Sequence, residues 1–366
     1  MKERGLHLSE DKCIYVVMGT KKQKEKLKSE FESNPLMCGK VKMKPKESEK
    51  WLGQQISGGG LADSAAATVA AREPKIRGAC LEIANIVNDW RSQAIGGMET
   101  AIILWEALCI PSLLHGAGTW TQISAATEKK LEQLQQWFIR LVLQVGQGAP
   151  LASLGWETGL LSMKLRIWKE KLMMVMHIRQ LGDETLAKKV YTEQLTKGYP
   201  GLAKETAKIS KELHIEDCNT TTLTKAEYKI LLSQLLEVKD ESMLRDQAKD
   251  KSKCERILKD RYGKKEYLTN MTIGEVRKFY RTRVGLLPLA SNYKNDKRFL
   301  RTNWMCRCKT ETENQSHIRH CPIYSDITQK YPSVEDDSDL VKYLHEVLNR
   351  RDLIDSIDEQ EDDLQH

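Results

Sequence analysis

Two thiols one residue apart, Cys306 and Cys308, are followed after a polar stretch by His317 and Cys321, giving a C-x-C then H-x3-C series between Trp304 and Tyr324. Thiolate sulfur and imidazole nitrogen are the donors of closed tetrahedral zinc sites, so a structural Zn²⁺ is the cofactor expected here. C-x-C presents both sulfurs from one tight turn, and His317 and Cys321, four apart, would share one face of a short helix. His320 supplies a second imidazole, and spacing alone leaves open which histidine binds. Of the chain's nine cysteines, the others (Cys13, Cys38, Cys80, Cys109, Cys218 and Cys254) show no paired spacing. Scattered thiols in odd number fit a reducing compartment rather than a disulfide framework. The polar residues between the ligands hold little apolar material, so this segment is predicted to order only around its metal.

A second group of residues suits a polyanion. Thr272 reads as the N-cap of a helix over Ile273 to Val284 that carries Arg277, Lys278, Arg281 and Arg283 interleaved with Phe279 and Tyr280. Guanidinium and aromatic groups together grip phosphates and stack bases, although a packed helix with a solvated arginine face has the same composition. Charge is also uneven along the chain. Lys21, Lys22, Lys24, Lys26, Lys28, Lys40, Lys42, Lys44, Lys46 and Lys50 load the beginning, acidic residues load 335–363, and the net charge is +7. The basic part suits nucleic acid or is a solvated helix face, and the acidic end reads as a partly disordered tail.

These groups need elements to hold them. A chain of 366 residues has room for about two or three packed units. No apolar run reaches the length of a bilayer span and no leader is apparent, so a soluble protein of the nucleus or cytoplasm, without a membrane partner, is expected. The pattern is mainly α, with a small α+β N-terminal piece, a helical bundle and a small zinc-knuckle-like module. The division reads as 1–57, 58–185, 186–270, 271–330 and 331–366. In the first piece Lys12 to Met18 and Trp51 to Ile56 are strands and Lys21 to Phe31 a helix or loop. Gly58-Gly-Gly60 lacks the Gly-Lys-Ser/Thr of a phosphate loop and reads as a turn. Helical patterns follow over Ala62 to Ala71, Ile76 to Trp90, Glu99 to Leu108 (stopped at Pro111), Glu128 to Val145 and Ser162 to Leu181. The methionines of the last are core filler. Leu113 to Trp120 is a glycine-broken corner and Gly155 to Met163 a turn, and the charged stretch from Leu186 to about Lys265 is a string of surface helices broken at Pro200-Gly201 and Asn219 to Thr222.

Taken in order, several motifs resemble the part of a non-LTR retrotransposon reverse transcriptase that lies downstream of its polymerase aspartates. Gly5-Leu-His-Leu-Ser-Glu-Asp-Lys12 resembles the segment that brings a lysine near the leaving pyrophosphate, and Trp51-Leu-Gly53 is similar to the Tyr-Leu-Gly primer-grip hairpin. Leu-His-Gly-Ala-Gly-Thr-Trp120 resembles the corner beyond the thumb, Gly155-Trp-Glu-Thr-Gly-Leu a Glu-x-Gly turn, and the arginine helix with its Cys/His series the zinc motif near the end of such elements. The resemblance covers residues 5 to about 330. It implies an end of palm, a thumb and connection region, and a zinc module.

On that resemblance Trp51, Leu52 and Gly53 face a primer backbone, and Arg277, Arg281, Arg283 and Tyr293 contact template RNA or target DNA. Nucleotide transfer needs carboxylates holding two Mg²⁺ ions, and no Tyr/Phe-x-Asp-Asp occurs in the sequence. Mg²⁺ is therefore not expected, no catalytic residue is assigned, and Lys12 is a vestigial proton donor. The expected function is binding RNA or DNA without polymerising alone, with association to a palm-containing chain as a further partner. The alternatives are a helical interaction scaffold, or the tail of an active RNA-directed DNA polymerase completed by upstream sequence.

Overall fold

The computed structural model describes residues 13–89, 94–287, 289, 305–332 and 339–351. The chain is mainly helical with a small α+β piece at its beginning. It forms two compact units: Met1–Ile83 with Ile103–Trp137 and Leu161–Ser242, and Ala84–Ile102 with Phe138–Leu160 and Met243–His366. The units are interleaved along the chain, so they do not coincide with consecutive stretches such as 58–185 or 186–270. Long helices carry the backbone from one unit into the other, which a division made at turns and breakers does not see.

The first unit begins with short strands around one helix. Thr20 starts α1 (Lys21–Ser33) by a capping box in which the Gln23 amide donates to the Thr20 hydroxyl and the Gln23 side chain accepts the Thr20 amide at 3.0 Å. None of the helix is buried, so its lysines form a solvated face. β1 (Ile14–Val16) runs parallel to β4 (Lys44–Lys46), and β2 (Met37–Cys38) and β3 (Val41–Lys42) form a hairpin. A second hairpin joins β5 (Ser48–Trp51) to β6 (Gln54–Ser57). Trp51 to Ile56 is therefore not one strand. Leu52 at φ 48° and Gly53 at φ 82° both lie in the left-handed region, the conformations that close a two-residue hairpin turn.

The helix α2 (Leu61–Asn88) runs unbroken through Pro74, where two separate helical stretches were expected. Its first-unit face, Ala65, Val69, Ile76, Cys80 and Ile83, is buried continuously across the proline. Burying three branched side chains at about 1.5–3 kcal/mol each outweighs the roughly 3 kcal/mol that an interior proline costs. Pro111 likewise fails to stop its helix. α3 (Gly97–Leu104) continues through a π-turn, Trp105–Cys109, into α4 (Ile110–Leu114), and the Ile110 amide bonds to the Trp105 carbonyl five residues back. The wider turn makes room for a proline ring that an α-turn would push against the preceding carbonyl.

Among the described residues Gly97–Leu114 is the one helical run with the length and mean apolarity of a membrane span. Met98, Ala101, Trp105, Cys109 and Leu113 within it are fully buried. Its two carboxylates are ion-paired, Glu99 with Lys264 at 2.6 Å and Glu106 with Arg166. Only 39% of the run is buried, with Ile103 and Leu108 more than half exposed, so one face of this helix packs and the other does not.

The rest of the first unit packs α7 (Met163–Arg179), α8 (Leu186–Lys197), α9 (Leu202–Glu212) and most of α10 (Lys225–Ala248). Leu165, Trp168, Leu172, Val175 and Met176 of α7 are buried, as their helical spacing predicts. In the second unit α6 (Leu151–Thr158) occupies the stretch expected as a turn, and its last residues include the fully buried Glu157. α11 (Tyr267–Asn270) and α12 (Ile273–Arg283) follow. Residues 339–351 form a further helix, α15, the last along the chain among the described residues.

Candidate metal centre and hairpin surface

The four predicted ligands come together. The donor atoms of Cys306, Cys308, His317 and Cys321 all lie within 4.8 Å of one another. Cys306 Sγ is 3.6 Å from Cys321 Sγ, and Cys308 Sγ is 3.2 Å from His317 Nε2. A tetrahedral zinc site with ordinary bond lengths has edges of about 3.8 Å between sulfurs and about 3.6 Å between sulfur and nitrogen. The two measured edges are a few tenths of an ångström short of these values, and the whole set, within 4.8 Å, is compact enough to hold a metal ion.

Local backbone chemistry builds this arrangement. Met305 and Thr312 pair as a one-rung bridge, the Cys306 amide bonds the Glu311 carbonyl at 2.7 Å, and Lys309 turns the chain at φ 61°. That turn brings Cys306 and Cys308 to one side. Asn314 then starts α13 (Gln315–Ile318) by accepting the Ser316 and His317 amides at 2.9 and 2.8 Å. The helix ends before Cys321, because Pro322 drives the residue preceding it out of the helical region, and Cys321 sits at φ −69°, ψ 127°. His317 and Cys321 therefore converge through a turn and not along one helix face.

Second contacts fix the histidine. Its Nδ1 lies 3.4 Å from Glu311 Oε2, which leaves Nε2 aimed at the thiols in the carboxylate–histidine arrangement common around bound metals. His320 is exposed, with Nδ1 3.2 Å from the Ser316 carbonyl, and takes no part in the cluster. The imidazole left open by the spacing is therefore that of His317.

The site also rests on a core that the composition hid. Ile318, Tyr324, Ile327, Leu340, Tyr343, Leu344 and Val347 pack with Cys306 and Cys321. Ile327 belongs to α14 (Ser325–Lys330), and the last four residues of that group come from α15. Tyr343 donates its hydroxyl to the Ile318 carbonyl at 2.9 Å. Residues 339–351 of the expected acidic tail thus form a core helix, corrected by its apolar face at i, i+3, i+4 and i+7. Positions 352–366 and the expected residues Lys12 and Tyr293 lie outside the described residues.

Burial pushes the Cys306 thiol up to about 12 and raises Cys321. Cys308 also feels burial, but hydrogen bonds from the Thr310 hydroxyl and amide outweigh it and bring this thiol down to about 6. Near neutral pH the metal-free site thus holds two thiols and one thiolate, and loading it displaces about two protons. Metal affinity should fall about 100-fold for each unit of pH lost near neutrality, and more steeply below about 6. Competition titration with a chromophoric chelator across pH measures this, and a pH-independent affinity would contradict the thiolate ligation.

The arginines of α12 are placed otherwise than expected. Arg277 Nε and Nη2 donate to the Val142 carbonyl at 2.9 and 2.7 Å, and Arg281 Nη2 donates to the Gln144 carbonyl at 2.6 Å. Both cap the C-terminal end of α5 (Ala125–Leu143), where bare carbonyls attract cations. Arg283 is 5% exposed and pairs with Glu157 at 3.0 Å. That burial corrects its assignment as a phosphate contact. The interleaved Phe279 and Tyr280 are buried too, so this helix turns its stacking rings inward.

Trp51 and Leu52 stand at the hairpin turn, 65% and 72% exposed. The turn is held from below by a stripe on α2 that sequence reading missed. Ser64 accepts the Ser57 amide at 2.9 Å, Thr68 accepts the Gln55 amide at 2.8 Å, and Arg72 Nη2 donates to the Gly53 carbonyl at 2.6 Å. Arg72 Nη1 also donates to the Leu113 and His115 carbonyls, each at 2.9 Å. The signal was present as polar residues at i, i+4 and i+8 in an alanine-rich helix, which share one face. No family model, curated protein or solved structure matches the chain.

Proposed function

We propose that this chain is a zinc-stapled nucleic-acid-binding piece of a non-LTR retroelement reverse transcriptase, which holds a strand and does not extend it alone. The observation that carries the binding role is the hairpin turn. A bulky residue in the left-handed region is strained, and Leu52 adds to that strain the cost of displaying an apolar side chain to water beside Trp51. The left-handed backbone closes the hairpin, but the display of both side chains to water does nothing for the folded chain. An indole on a lysine-bearing hairpin fixed by Arg72 is a platform for a base and its phosphate. The resemblance at Trp51-Leu-Gly53 agrees with this role, and no Tyr/Phe-x-Asp-Asp motif occurs in the sequence to hold the metal pair that polymerisation needs. Three sulfurs and one imidazole favour Zn²⁺ over oxygen-seeking ions at the metal centre.

Fluorescence anisotropy with labelled single-stranded RNA and DNA tests the reading. Affinity should fall steeply between about 50 and 200 mM salt, and Trp51→Ala should weaken it about tenfold, the usual worth of one stacked base. A flat salt response, or unchanged affinity in the variant, would remove the hairpin from the function. Elemental analysis should find one zinc per chain.

A further inference from the structure

We propose that the pocket below the hairpin, formed by β5, β6, α2 and the end of α4, is a binding site for a phosphate monoester. It has a volume of about 400 Å³ and is lined by Lys50, Arg72, Lys75 and His115, with Ser112 offering a hydroxyl. No carboxylate lines it. Three acids on or beside these elements are engaged elsewhere, Glu47 with Lys28, Glu49 with Lys46, and Glu73 with Arg77 at 2.9 Å and Lys130 at 2.6 Å, and Asp63 and Glu82 of α2 do not line the pocket. Lys50 and Lys75 have no ion pair among the described residues, and Arg72 bonds backbone carbonyls, which leave its charge uncancelled.

Three cations in one concave wall focus a positive potential that an anion is needed to neutralise. A phosphodiester inside a strand brings one negative charge and two blocked oxygens. A monoester brings nearly two charges and three free oxygens, which matches the charge and donors present. The pocket also belongs to a different face of the hairpin from the stacking tip. Lys50 pairs with Gln55 across the strands, and both line the pocket. Trp51 pairs with Gln54, and side chains of neighbouring residues in a strand point to opposite faces. The two sites are therefore separable by mutation.

A phosphate monoester can come from the phosphorylated end of a nucleic-acid strand or from a free mononucleotide. The strand end rests on the nucleic-acid reading above, whereas the pocket itself does not. The 366-residue chain is titrated with inorganic phosphate, AMP and adenosine by calorimetry, and with single strands that carry or lack a 5′-phosphate by anisotropy. AMP should bind and adenosine should not. The 5′-phosphate should raise strand affinity about tenfold, as expected for charge-assisted hydrogen bonds. The exposed pair Lys50→Ala, Lys75→Ala should erase that gain and AMP binding, while the unphosphorylated strand keeps its Trp51-dependent affinity. AMP binding without a strand-end gain would uphold the site and overturn the strand as its source. Failure to bind AMP together with strand binding that ignores the 5′-phosphate, or a preference that survives the double variant, would overturn the site and leave the hairpin function standing. Circular dichroism of the double variant, expected to be unchanged, separates loss of binding from loss of fold.

Discussion

Stripping the metal with a strong chelator is expected to unfold residues 305–332 and 339–351 together, with amide protection in α13 and α15 falling by at least about 1,000-fold. The reason lies in where the four donors sit. Cys306 and Cys321 are both part of the buried cluster that includes Leu340, Tyr343, Leu344 and Val347. An unligated pair of thiols in that position contributes only the packing of small side chains, and α13 has four residues, too few to be stable by itself. Structural zinc supplies on the order of 10 kcal/mol, comparable with the whole stability of an ordinary domain. Cys306→Ser should reproduce the effect of the chelator, since it removes a ligand that is also a core side chain. His320→Ala should not, because that ring is exposed and outside the cluster. Hydrogen exchange read by mass spectrometry resolves the two segments. Unchanged protection in the metal-free protein would mean that the apolar cluster holds this region alone, and the metal would lose its structural role.

The donor set was readable from spacing because metal ligation is chemically narrow: few residues can do it, and they must be close. The supporting helix was not, since acidic residues around 335–339 dominate the local composition while the apolar face of α15 only acquires meaning from Ile318 and Tyr324 some twenty residues away. Similar non-local effects explain the turn expected at Gly155. Glycine there marks a close approach and not a break, for a Cβ would meet Leu244 Cδ1 at 3.0 Å. The α5 and α7 stripes, by contrast, were legible because Leu131, Leu134, Phe138, Leu165 and Leu172 bury along one face of a regular period. The hairpin lay between these cases. Its tip was marked by Trp51-Leu-Gly53, but Ser64, Thr68 and Arg72, which hold it, belong to another element.

Arg283→Met is expected to destabilise the second unit by about 3–5 kcal/mol, the usual cost of stranding a buried charge. Glu157 is fully buried and receives Arg283 Nη2 on Oε1 at 3.0 Å, Arg283 Nε on Oε2 at 3.1 Å and the Tyr267 hydroxyl on Oε2 at 2.9 Å. Once the guanidinium is gone, the carboxylate keeps one neutral donor from a side chain. The reciprocal change should cost less. In Glu157→Gln, Arg283 retains Asp260 as a second carboxylate, and that group is 46% exposed, so the arginine remains partly compensated. Combining Arg283→Met with Glu157→Gln should recover part of the loss, because a neutral amide is far cheaper to bury than an unpaired carboxylate. Urea unfolding of the four proteins, followed by hydrogen exchange at Ile273–Arg283, measures the cycle. Equal costs for the two single changes would show that Asp260 does not compensate the arginine and that Glu157 alone is its effective partner. An Arg283→Met protein as stable as the parent but weakened in binding RNA would return this side chain to the nucleic-acid surface, since only an arginine free to leave Glu157 can reach a phosphate.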